Sequence, residues 1–197
     1  MRKILALAAV LAVLSPVVRA DSYEIDASHS QVGFRIKHLV GKVPGRFTKF
    51  AGTVEFTPAK PEAWKVVATI DPASINTDNE KRDGHLKSAD FFDVAKFPEM
   101  TFKSTKVAGV KGDSAKLHGE LTMHGVTKPV VLDLELGGTT KDPWGNTRAG
   151  FTATGTINRK DFGIVWNKAL DTGGLMLGDE VAISLDIEAV LKAPAKK

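Results

Sequence analysis

The sequence predicts an all-β protein whose strands run antiparallel in one sheet that folds onto itself, with short helical segments confined to residues 79–97. Three observations predict it. Apolar and polar residues alternate along most of the chain after residue 20, which is the period of a strand with one buried face. Clusters of Gly, Pro, Asn and Asp separate the alternating runs at the short spacing of hairpin connections. One stretch alone, 79–97, is long, charged and free of that period.

Eight candidate strands follow in order. Val32, Phe34, Ile36 and His38 share one face of the first, with Gln31, Gly33, Arg35 and Lys37 on the other. After a turn-prone segment, Gly41 to Gly45, the residues Phe50, Gly52, Val54 and Phe56 alternate with polar neighbours until Pro58 and Pro61 stop the run. Val66, Ala68 and Ile70 make the third strand, ended by Asp71-Pro72, and Met100, Phe102 and Ser104 begin the fourth. Leu117, Gly119, Leu121 and Met123 make the fifth, and the segment Met123 to Pro129 reads as a tight hairpin into Val130, Leu132, Leu134 and Leu136. Phe151, Ala153, Gly155 and Ile157 form the seventh; Val181, Ile183, Leu185, Ile187 and Ala189 form the eighth. Gly112-Asp113, Asp142 to Asn146, Gly173-Gly174 and Gly178-Asp179 supply the remaining turns. Within 79–97, Leu86, Phe91 and Phe92 give short helices an apolar side, with Asn79 or Asp90 as caps.

Strands apolar on one side must bury that side, and with so little helix the sheet has to close on itself as a barrel or a sandwich. An eight-stranded barrel has an interior that side chains just fill or that holds one small ligand. The inward set mixes Phe34, Phe56, Phe102, Phe151 and Met123 with Gly52, Ala68, Gly119, Ala153 and Gly155. Small inward residues leave room for a ligand, or relieve crowding where a barrel tapers.

The chain opens with Arg2-Lys3, an apolar run from Ile4 to Leu14 and the small-residue pattern Val18-Arg19-Ala20, the form of a cleaved Sec-type signal peptide over residues 1–20. That run is too short for about 30 Å of hydrocarbon, so no stable membrane insertion is expected. Removing Arg2, Lys3 and Arg19 leaves 24 basic residues against 23 acidic ones, a balance that offers nucleic acid no footprint. The local basic excess, residues 192–197, reads as a flexible tail after a single barrel domain over 21–191. Without cysteine there are neither disulfides nor thiolate chemistry. Export, a soluble periplasmic location and a stability that comes from the core are the expectations.

No phosphate-binding glycine loop, nucleophile elbow or His-Glu-x-x-His helix is present, and the five histidines are scattered, so neither a cofactor nor a metal is expected. The charged cluster Arg82 to Asp90 could supply acid, base and oxyanion groups, but helix caps and a hydrogen-bonded loop histidine at His85 explain it better. His38 ends its strand on the apolar face, where a polar tip would stand at a barrel mouth. Asn158 to Ile164 could fold across the rim, with Phe162 and Trp166 as mouth residues.

Taken together, His38, the Arg82 to Phe92 block, Lys96 to Phe102, Leu121 to Val130 and Asn158 to Ile164 resemble the YceI-like family over nearly the whole chain after the leader. The resemblance implies an extended, eight-stranded, antiparallel, lipocalin-like barrel in the periplasm, which binds a polyisoprenoid lipid such as an isoprenoid quinone or its precursor in an apolar tunnel, often as a dimer. Val32, Phe34, Ile36, Phe56, Phe102, Leu121, Met123, Phe151, Ile157, Phe162 and Trp166 are then the expected contacts of the tail, with His38, Arg82 and His85 near the head group. Two other readings remain open: a lipid-modifying enzyme using His38, Asp83 and His85, and a self-filled barrel acting as an interaction module. The module would contact an inner-membrane redox protein or a second copy of the chain through its rim.

Overall fold

The computed structural model describes residues 20–57 and 60–192; the expected leader, except Ala20, and all of the tail but Lys192 lie outside them. The strands are β1 (Asp21–Ile25), β2 (Gln31–His38), β3 (Gly41–Phe47), β4 (Phe50–Phe56), β5 (Lys65–Ile70), β6 (Ile75–Asn76), β7 (Met100–Lys111), β8 (Ser114–Met123), β9 (Val126–Lys141), β10 (Thr147–Asn158) and β11 (Leu177–Leu191). One helix, α1 (Glu80–Lys87), and 3₁₀ turns at Pro61–Ala63, Pro72–Ser74 and Arg159–Phe162 complete the described elements.

All pairings are antiparallel, and the ladder closes because β11 takes two partners in succession. Its first part pairs with β2 and its end, Ala189 to Leu191, with β1. β1 and β2 are therefore two halves of one stave, and β3 and β4 are halves of the next, since β3 pairs with β2 and β4 with β1. With β5 and β6 sharing the third, the eleven strands form a closed eight-stranded barrel.

The eight alternating runs coincide with β2, β4, β5 and β7 to β11, and three local readings need correction. Gly41 to Gly45 is not a turn but most of β3; the chain reverses at Leu39, whose φ is +52°. Gly45 belongs in the strand because the Phe34 ring across the pair lies over it, leaving no space for a Cβ. Between β8 and β9 the turn is only His124 and Gly125, with φ of +53° and +73°, and Pro129 lies within β9. That positive-φ pair suits a two-residue hairpin, and a Cβ at Gly125 would also stand 2.5 Å from the Phe97 ring. Gly178 and Asp179 lie inside β11, where an irregularity in register between Leu177 and Val181 absorbs them. β1 had no counterpart among the runs, being short.

Helical structure falls where the alternation fails. Asn79 caps α1 by accepting from the Arg82 amide at 2.9 Å, whereas the Asp90 carboxylate faces His85 instead of capping. Leu86, Phe91 and Phe92 lean onto a core cluster with Phe47, Met100, Met123 and Phe162 at this helix end of the barrel. A second cluster stoppers the other end: fully buried Phe56 stacks 4.8 Å from Trp64 and 5.2 Å edge-on from Phe151. Trp64 is fixed there by its indole N–H, which donates to the Thr57 carbonyl at 2.7 Å. Burying one such aromatic contributes about 1.5–3 kcal/mol, so the stopper is a main anchor of the fold.

A candidate apolar ligand cavity

Between the two clusters lies a cavity of about 360 Å³, running from Trp64 at the stoppered end to His85 and Met176 at the helix end. Val32, Phe34, Ile36 and His38 stand in its wall on successive inward positions of β2. Phe102, Leu121, Met123, Phe151 and Ile157 face it from β7, β8 and β10, Arg82 and His85 from α1, and Trp166 from the loop after β10. Phe56 and Phe162 lie outside the wall: the first belongs to the stopper, and the second is buried beside the His124 turn, where its carbonyl faces His124 Nδ1 at 3.0 Å.

The wall is apolar over nearly all its surface. Its charged and titratable side chains, His38, Arg82, His85 and Arg159, gather at the helix end with Thr77. Each of three is already engaged. Arg82 donates from Nε to the Thr77 hydroxyl and from Nη2 to the Thr77 carbonyl, both at 2.7 Å. His85 Nε2 lies 2.8 Å from an Asp90 oxygen, and the ring stands edge-on to Phe91 and Trp166 with centroids 5.0 and 4.9 Å away. Arg159, 2% exposed, donates to the carbonyls of Gly178, Ile164 and Trp166 at 3.0, 2.9 and 2.7 Å. Burial lowers its pKa, opposed by the Asp179 carboxylate.

Arg159 is the charged wall residue that sequence reasoning missed. It stands in the run Asn158 to Ile164, read as a segment that folds across the rim, and nothing local announces that the following loop turns two carbonyls toward it and β11 a third. Asp83, grouped with His38 and His85 as an acid–base set, is absent from the wall, and its carboxylate accepts from the Thr77 amide and hydroxyl. Outside the barrel, Asp26, His29 and Glu188 bring ligand atoms within 4.8 Å of one another, but Arg148 pairs with both carboxylates. That cation already holds the position a metal would take.

Fold and cavity together define a class: a closed antiparallel β-barrel enclosing an apolar chamber whose polar groups stand at one end. The chain belongs to the YceI-like domain family, whose model matches residues 23–189, as the ordered sequence blocks implied. A UPF0312 protein of Pseudomonas savastanoi pv. phaseolicola is 46% identical over 148 residues, 74% of this chain and 77% of the relative. BcnA of Burkholderia cenocepacia superposes with a TM-score of 0.74 at 26% identity, covering 83% of this chain and 98% of that one. A polyisoprenoid binding domain from Saccharophagus degradans shares the fold with a TM-score of 0.63 at 16% identity, over 86% and 98% of the two chains.

Proposed function

We propose that this protein binds a long apolar isoprenoid lipid, an isoprenoid quinone or its precursor, in the barrel cavity, and stores, sequesters or transports it in the periplasm. The observation that carries this is the chamber itself: about 360 Å³ of apolar space with charge at one end only. An apolar cavity of about 150 Å³ engineered into another protein stays dry and takes up benzene, so a chamber this size has room for a substantial stretch of hydrocarbon. Each buried methylene contributes about 0.8 kcal/mol, and a 20-carbon tail would gain on the order of 15 kcal/mol before ordering costs. Affinity then needs no polar anchor, and His38, Arg82 and His85 are left to select the head group. The name of the Saccharophagus neighbour, a polyisoprenoid binding domain, supports this ligand class. The periplasmic setting rests on the leader pattern of residues 1–20. A homodimer and transient contacts with inner-membrane redox proteins belong to the same reading.

Native mass spectrometry of protein purified from its own periplasm, followed by solvent extraction, tests it. A stoichiometric isoprenoid is the expected result. Protein that carries none and takes up no added quinone or long-chain lipid would overturn the reading.

A further inference from the structure

Apolar side chains exposed one by one are normal on a protein surface, but a cluster of them marks a contact site. At the helix end of this barrel they cluster. Val40 at the tip of the β2–β3 turn is fully exposed, with Leu39 beside it. The Leu39 amide donates to the Met176 carbonyl at 2.9 Å, which seats this turn against a second one closed by the Ala169–Leu175 bridge. Leu175 is 51% exposed there, and Val165 is 63% exposed. Val165 borders the same rim, because Arg159 ties the carbonyls on either side of it to that of Gly178.

Cations surround these tips. Lys37 and Lys42 stand opposite each other in register across the hairpin, a like-charge placement that costs stability. Lys168 joins them through its carbonyl, which accepts from the Met176 amide at 2.9 Å. None of the three pairs with a carboxylate among the described residues. Asp171 on the second turn and exposed Glu180, in the irregularity of β11 opposite Lys37, offset part of this charge, while Asp179 is held by Arg159 and Lys160. The cavity reaches this rim, since His38, Met176 and Leu177 line it.

We propose that the rim formed by the two turns docks onto an anionic lipid bilayer. Apolar tips flanked, among the described residues, by unpaired lysines fit a soft anionic surface better than a protein socket. Val40, Leu175 and Val165 would enter between head groups while the lysines stay at the phosphates. A lipid tail could then pass between bilayer and cavity without crossing water; that consequence rests on the lipid-binding reading, whereas docking does not.

Cosedimentation with vesicles of equal parts phosphatidylglycerol and phosphatidylcholine, against phosphatidylcholine alone, tests the docking. The wild type is expected to bind the mixed vesicles and to be released as salt rises. Val40→Asp with Leu175→Asp, and separately Lys37→Glu with Lys42→Glu, should each lower the bound fraction about fivefold or more. All four positions are exposed, so the unfolding midpoint should stay unchanged. Trp144→Ala, on the turn at the opposite end where this indole is 81% exposed, should have no effect. Wild-type protein that ignores the mixed vesicles overturns the proposal, as does loss of binding in the Trp144 variant but not in the Val40 and Leu175 pair. A dimer abolished by the Val40 and Leu175 substitutions, in protein that ignores vesicles, would make the occupant a second copy and also overturn it. Quinone uptake is measured without vesicles: uptake without docking removes this proposal alone, and docking without uptake removes the lipid-binding reading alone.

Discussion

The ring of Phe102 fills the space in which a side chain at Gly119 would stand. A Cβ there would fall inside the ring's van der Waals envelope and 2.8 Å from the Lys103 carbonyl oxygen. Phe102 pairs with Leu121 and Gly119 with Ser104, so the two are diagonal neighbours on one face of the sheet. Because Phe102 is also cavity wall, this glycine sets how far an aromatic ring stands back from the chamber. Gly119→Ala should therefore destabilise the barrel by about 1–3 kcal/mol, the usual cost of overpacking. Urea unfolding at unchanged slope checks it; a midpoint equal to wild type would show that the ring moves freely.

Ala153 tests the chamber from the opposite direction. It is buried on β10 and lines the cavity, so a larger side chain there has space only inside the chamber. Ala153→Val should displace about two methylenes of ligand at about 0.8 kcal/mol each, close to a tenfold loss of affinity for an isoprenoid quinone. Its circular dichroism should match wild type. Quinone titration followed by fluorescence measures the loss, and unaltered affinity would place the lipid somewhere other than this cavity.

What the sequence revealed and what it concealed divides along a physical line. Which face of a strand a residue occupies follows from the pleat alone, so Val32, Phe34, Ile36 and His38 could be assigned inward without knowing any partner. Volume is different, because it belongs to pairs across strands. Gly52, Gly119 and Gly155 suggested room, yet Ile25, Phe102 and Leu132 fill it, while Ala68 and Ala153 do border the cavity. Depth along the barrel is likewise absent from an alternating pattern: Phe56 shares a face with Val54 but stands one step further on, in the stopper against Trp64. Arg159 was hidden for a third reason. Its burial depends on carbonyls from residues 164, 166 and 178 that only the folded loop assembles.

That loop supplies the next prediction. Arg159 holds it to β11 through three carbonyl acceptors and an ion pair to Asp179 at 3.4 Å. Arg159→Met keeps most of the apolar stem but leaves those carbonyls without their donor, at about 1–3 kcal/mol for a buried unsatisfied group. Lysine cannot replace the planar fork that reaches several acceptors at once, so Arg159→Lys should recover little. Amide hydrogen exchange across 164–177 should accelerate in both variants while that of β7 and β8 stays slow. Equal acceleration throughout would mean that Arg159 supports the whole barrel and not this loop.

At the stoppered end, Arg148 predicts how stability depends on pH. Its Nη1 donates to Asp26 at 2.9 Å and its Nε to Asp142 at 2.9 Å, and it also pairs with Glu188, so it joins the β1–β2 connection, the β9–β10 turn and β11. Burial works against ionisation of Asp142, but hydrogen bonds from the Asn146 and Arg148 side chains and from the Asn146 and Trp144 amides prevail, lowering its pKa to about 2. Hydrogen bonds from Ser28, Arg148 and His29 lower that of Asp26 further. A carboxyl whose folded pKa lies below its ordinary value near 3.8 contributes its full stabilisation above that value and loses it as pH falls through the folded pKa. Unfolding free energy should thus be insensitive to these groups from neutrality to about pH 5 and fall between about pH 4 and 2. Asp142→Asn should be less stable than wild type at pH 7 and show a shallower acid loss, because one of the carboxylates being protonated is gone. Denaturant midpoints for both proteins at pH 7, 4 and 2.5 decide it: parallel curves would mean that the Arg148 cluster does not set the acid limit of the fold.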